Sequence, residues 1–194
     1  MDKLFKTALC LMLFVSFFAC APFASAPTPS DIEVEKEEQA VFSVFVKESK
    51  NSALILQNTS TSTVEEDPKV LLDRIKGGLP GISNVTIENF LQRNAQPSQV
   101  SPNMQLGVEY SLLTETELME IASQQNWHVI LQERYPGVDG YYIFSRVGFN
   151  NSLDQAVVYV GKVGGPLMGS GSYYLLAKQN GIWTIIEDTG VWES

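Results

Sequence analysis

The chain has 194 residues, with 13 basic against 22 acidic side chains and a net charge of −9. That length sets one domain of ordinary size with at most a tail, and an acidic balance argues against nucleic acid as a partner, because phosphate binding needs a basic surface. Two cysteines exclude a disulfide-rich scaffold and one histidine excludes a multi-histidine metal site.

Residues 1–26 read as a signal peptide. Lys3 and Lys6 make a positive start, and Thr7 to Ala19 is an uncharged apolar run. At 1.5 Å per residue such a run is too short for a hydrocarbon core about 30 Å thick, and has the proportions of a secretory leader. Cleavage has two candidate places. Ala24-Ser25-Ala26 is an A-x-A site, although Pro27 follows it directly. Phe17-Phe18-Ala19-Cys20 resembles the lipobox of bacterial lipoproteins, which implies cleavage before Cys20 and acylation of that cysteine; Phe17 and Phe18 depart from the usual aliphatic-then-small pattern. Lipid-anchored and freely secreted both stand. Without the leader the net charge becomes −10 and about 40% of the residues are hydrophobic. Both cysteines leave with the leader or sit at its end, so the folded part has no thiol chemistry.

Residues 27–34 are read as a stiff proline-rich linker and 35–194 as a single domain. Asp31 is expected to cap a first helix whose Glu33, Glu35, Glu37 and Glu38 face solvent. Ala40, Val41, Val44 and Phe45 would supply its apolar side. A calcium site there lacks the loop glycine and the spacing of an EF-hand. Ala53 to Gln57 reads as a strand. Asp67-Pro68 opens a helix with Val70, Leu71 and Ile75 inward, stopped at Gly77-Gly78, and Ser83 caps another through Phe90 and Leu91. After a loop from Ala95 to Asn103, Leu106 to Leu113 reads as a strand. Thr114 to Glu117 is a capping box for a helix with Leu118, Ile121 and Ala122, and Asn126 caps a last helix from Trp127 to Arg134.

Four strands then follow: Tyr141 to Phe149, Gln155 to Val163, Ser172 to Gln179 and Ile182 to Trp192, the last two joined by Asn180-Gly181, a two-residue hairpin signal. Short helices followed by an antiparallel meander make the class α+β, and the architecture looks like the NTF2-like or cystatin-like folds. One sheet face would pack on the helices. The other would wrap a pocket or pair with a second copy in a homodimer.

Chemistry is sparse. His128 could act as a general base, yet no serine or cysteine motif accompanies it, which points to a partly buried helical histidine. The glycine loop from Gly161 to Gly171 has Gly164 and Gly169 at P-loop spacing but no lysine or helix after them, so its glycines are expected to supply positive φ in a wide hairpin. Glu187-Asp188 point to opposite faces of a strand, reading as edge solubility. Arg146 sits between apolar strand neighbours; if buried it needs a carboxylate, either as a structural ion pair or as an anion-binding residue. No catalytic, cofactor or metal residue is assigned.

The stretches Tyr135-Pro136-Gly137, Ser145-Arg146-Val147-Gly148-Phe149-Asn150, Gln155-Ala156-Val157-Val158-Tyr159-Val160, Gly164-Gly165, Gly169, Tyr173-Tyr174-Leu175-Leu176 and Asn180-Gly181-Ile182-Trp183 are similar to a family of uncharacterised exported bacterial proteins. In its members the glycine loop often holds a cysteine pair, where this chain has Val163 and Met168. The resemblance implies an exported bacterial protein and carries no activity. The reading is therefore of an envelope-associated binding or interaction module, with Cys20 as lipid attachment site and only contact with a membrane. The alternative is a small enzyme with its pocket on the concave sheet face.

Overall fold

A computed structural model describes residues 29–48, 52–61, 67–165 and 168–194. The leader, both cleavage sites and Cys20 lie outside the described residues. The elements run α1 (Asp31–Glu48), β1 (Ala53–Gln57), α2 (Pro68–Gly78), α3 (Asn84–Arg93), β2 (Glu109–Leu113), α4 (Glu115–Ala122), α5 (Trp127–Arg134), β3 (Tyr141–Phe144), β4 (Gly148–Phe149), β5 (Gln155–Gly165), β6 (Met168–Gln179) and β7 (Ile182–Glu193). The class is α+β.

The finer expectation of short N-terminal helices followed by a four-stranded antiparallel meander is not matched. The first helix runs 18 residues. Helices alternate with strands, and the sheet has seven strands in the order β2-β1-β3-β5-β6-β7, with β4 also on β5. β1 pairs with β2 and β3 in parallel, whereas the C-terminal ladders are antiparallel. An entirely antiparallel NTF2-like or cystatin-like meander does not contain those parallel pairs.

Local chemistry explains most element ends. Ser30, not Asp31, caps α1: its hydroxyl accepts the Glu33 N–H, and the Glu33 carboxylate receives the Ser30 N–H and O–H in return. α1 thus opens inside the stretch read as linker. Asp67 caps α2 through Lys69 and Val70, with Pro68 at its start, and Ser83 caps α3 through Thr86. The Thr114–Glu117 box is formed in both directions. These caps hold the Glu33 and Glu117 carboxyls below the usual range, chiefly through the backbone N–H bonds from Ser30 and Thr114. Their stabilisation is present above the ordinary carboxylate pKa and is lost as pH falls through the lowered values. Replacing Ser83 with alanine should cost about 1 kcal/mol in urea unfolding, because the Thr86 N–H loses its partner.

Both faces of the sheet are covered. On one, α1 packs Val41, Phe42, Phe45 and Val46 against Leu54, Leu56, Phe144, Val158 and Trp183. On the other, α2 and α3 bring Leu71, Ile75, Ile87 and Phe90 to Val157, Tyr173 and Leu175, while α4 and α5 cover Ile55 and Leu113 with Leu118, Ile121 and Leu131. The expected open concave face is therefore filled. The reason is the two-sided apolar alternation of β5, where Val157 and Tyr159 join one cluster and Val158 and Val160 the other. The apolar side of α1 is also shifted from the expected one: Phe42 and Val46 are buried and Ala40 is exposed. Val70 and Ala122 likewise face outward.

The C-terminal hairpins are close to expectation. Asn180 and Gly181 both have positive φ (52° and 81°), as a tight two-residue turn requires. The glycine-rich segment differs: Gly161, Gly164, Gly165, Gly169 and Gly171 are strand residues, and none of them has positive φ. Gly171 leaves room instead for the Trp192 indole and the Tyr159 hydroxyl, which a Cβ there would strike. The indole N–H donates to that hydroxyl at 2.7 Å.

Candidate functional site

The expected strand from Tyr141 to Phe149 is broken. β3 and β4 lie along the same partner, β5, but between them Arg146 and Val147 leave the ladder, and Ser145 keeps only its N–H bond to the Tyr159 carbonyl. Backbone groups that leave a ladder inside a protein need other partners. Here side chains supply them. The Ser145 hydroxyl donates to the Arg146 carbonyl and accepts the Tyr159 N–H. Asn94, fully buried just after α3, accepts the Arg146 N–H at 2.8 Å and donates to the Arg146 carbonyl at 2.9 Å. The Val147 N–H donates to Glu38 at 2.8 Å.

Glu38 is the centre of this junction. It is 7% exposed, on the inner side of α1, in line with Val41, Phe42 and Phe45. Arg146 meets it side-on, Nε at 2.9 and 3.1 Å from the two oxygens and one η nitrogen at 2.8 Å. Arg93 adds a bond at 3.0 Å. The Glu38 hydrogen bonds, followed by burial acting the other way and then the charges of Glu38 and Glu35, leave Arg146 above its ordinary range. Both Glu38 oxygens are committed to protein donors, so this carboxylate holds structure together and is not placed to move a substrate proton.

Glu37, the next residue, performs a similar task toward the last hairpin. One oxygen receives the Lys178 ammonium at 2.6 Å and the other the Trp183 indole N–H at 2.7 Å. The acidic stretch of α1 is thus divided: Glu37 and Glu38 are tied inward, whereas Glu33 and Glu35 are exposed. The expectation of a wholly solvated acidic face does not hold. A signal was available, since an acid at helical spacing from Val41, Phe42 and Phe45 falls within the apolar stripe. Its partners could not be read locally, because they lie 55 to 109 residues away.

A crevice of about 130 Å³ opens beside this junction. Glu35, Glu38, Gln39 and Phe42 of α1 form one wall, Ser145 and Arg146 the base, and Ser60 with Gln99, Ser101 and Met104 the opposite wall. The second wall is pinned in place: the Ser60 hydroxyl accepts the Ser98 N–H, Gln39 accepts the Gln105 N–H, and the Met104 N–H donates to the Tyr110 hydroxyl. The Phe42 and Phe144 rings, 4.5 Å apart, form an apolar floor.

Of the residues singled out in the sequence, Arg146 lines this crevice together with Glu35 and Glu38 of the acidic stretch. His128 is exposed on α5, edge-on to Trp127, and not partly buried as expected. Glu187 and Asp188 lie on the edge strand β7, opposite Leu175 and Tyr174. A broader depression along the outer edge of β2, lined by Glu109, Tyr110, Arg134 and Tyr135, is more open and has no comparable convergence of buried polar groups. No group of three or more histidine, cysteine, aspartate or glutamate side chains that could hold a metal occurs among the described residues. No family model matches the chain, and no curated protein or solved structure matches it either.

Proposed function

We propose that this is an exported, envelope-associated binding module held at the membrane by a lipid on Cys20. The reading is supported at its N-terminus by Lys3 and Lys6, the apolar run from Thr7 to Ala19 and the Ala19-Cys20 junction. Among the described residues no helix is long and apolar enough to cross a membrane, so attachment there would need another device. The observation that carries the binding reading is the crevice beside Glu38. Its buried carboxylate, Glu38, is already tied into the scaffold, while its rim presents an acid, amides and hydroxyls over an aromatic floor. Such a surface holds a ligand without offering it a nucleophile and a base in mutual contact.

The anchor is tested by replacing Cys20 with serine and following detergent-phase partitioning and gel mobility of the chain expressed in a bacterium. The expected result is a shift of the protein from the membrane fraction to the soluble fraction, with loss of incorporated labelled fatty acid. Unchanged partitioning and mobility would show that Cys20 carries no lipid.

A further inference from the structure

We propose that the crevice between α1 and the segment 98–104 binds a free α-amino acid with a small apolar side chain, its carboxylate on Arg146 and Ser60 and its ammonium on Glu35. The inference deepens the binding-module reading and rests on it.

Charge is the first argument. Glu38 answers two guanidinium groups, Arg93 and Arg146, with one carboxylate. One positive charge is left at the base of the crevice. Glu35, on the same wall one helical turn before Glu38, places one negative charge at its rim. A site with one charge of each sign separated across a small space suits a zwitterion, and disfavours a simple anion or cation, each of which would meet one like charge.

The donors are the second argument. Glu38 occupies Nε and one η nitrogen of Arg146, and the other η nitrogen has no hydrogen-bond partner among the described residues. Arg146 is 29% exposed through its side chain, so that nitrogen is open to a ligand. Ser60 is 3% exposed. Its oxygen accepts from Ser98, but its own proton has no acceptor among the described residues. A buried O–H left without an acceptor is costly, and a ligand oxygen would satisfy it. A guanidinium edge and a hydroxyl together are a carboxylate site.

Size and floor set the side chain. The volume is that of about four waters, below the range of ordinary cofactor pockets. The apolar part would rest on Phe42, Phe144 and Met104. So small a contact gives micromolar to millimolar binding at best.

The test is calorimetric titration of the full exported chain with alanine and valine, alongside N-acetylalanine, which lacks the ammonium, and alaninamide, which lacks the carboxylate. Saturable binding of the free amino acids is expected, weakened about tenfold or more in either derivative. Glu35 is exposed, so Glu35→Gln should leave the melting temperature unchanged. It should weaken alanine about tenfold and leave N-acetylalanine no weaker, since that anion then loses a like charge at the rim. No saturable binding of alanine or valine overturns the proposal. So does N-acetylalanine binding as well as alanine, which would point to a peptide C-terminus. Partitioning of the Cys20→Ser chain reads the anchor independently, so loss of the ligand and loss of the envelope location are separate results.

Discussion

Replacing Glu38 with alanine should lower the unfolding free energy by about 3 kcal/mol, the lower part of the range for breaking a buried pair, because Arg146 and Arg93 keep 29% and 19% of their side chains exposed. The substitution strands two guanidinium groups and the Val147 N–H at once. Urea unfolding of the chain, followed by tryptophan fluorescence, measures the loss. Glu38→Gln should recover part of it, since the amide oxygen can still accept from Val147. The double change Glu38→Leu with Arg146→Met should cost less than Glu38→Ala alone, because removing both charges leaves only Arg93 and one backbone donor to be solvated. Asp139→Asn provides the contrast. Its pair with Lys162 is exposed on both sides, 45% and 35%, and its loss should be under about 1 kcal/mol. If Glu38→Ala unfolds at the same urea concentration as the parent chain, the junction contributes nothing to stability.

Gly148→Ala is expected to be about as damaging. Gly148 begins β4 with the backbone of α3 directly against it, and an added Cβ would run into the Cα and N of Phe90. Backbone cannot step aside as a flexible side chain would. The helix must lift off β5 or β4 must leave its ladder, a cost of about 3 kcal/mol. Gly77→Ala is the informative partner. It lies near the end of α2 with open space around the added methyl, and should gain up to about 1 kcal/mol from the stiffer unfolded chain and better helix propensity. Thermal unfolding of the two variants should therefore move in opposite directions from the parent.

Features settled by a few neighbouring residues were legible in the sequence. The Asn180-Gly181 turn, the Asp67, Ser83 and Thr114 caps and the strand from Ala53 to Gln57 all depend on contacts within a few positions. The parallel half of the sheet was not legible, because nothing in Ala53-Leu54-Ile55-Leu56-Gln57 states that it will lie between Glu109–Leu113 and Tyr141–Phe144. A short apolar strand buried on both faces has the same composition in a parallel or an antiparallel sheet. The break at Ser145-Arg146-Val147 was invisible for a related reason. Its apolar flanks read as one strand, and the groups that take its backbone bonds, Glu38 and Asn94, come from two different helices. For the candidate site, Arg146 was singled out with its need for a carboxylate, but the identity of that carboxylate and the crevice beside it arise only from long-range packing. The helices were read in their places along the chain, but nothing local states that α1 takes one face of the sheet and α2 to α5 the other, which fills the face read as a pocket or a dimer surface.

The order in which α1 meets its partners bears on how the chain is made. α1 precedes every other described element, yet Glu38 waits for Arg146, 108 residues later, and Glu37 waits for Lys178, 141 residues later. Until β5 to β7 emerge, the apolar side of α1 lacks Val158, Leu176 and Trp183 to pack on, and closing loops of that length is slow. A chain arranged in this way consolidates late, around its last strands. The N-terminal half therefore stays pliable until the last strands are in place, a delay that would suit the proposed export as an extended thread.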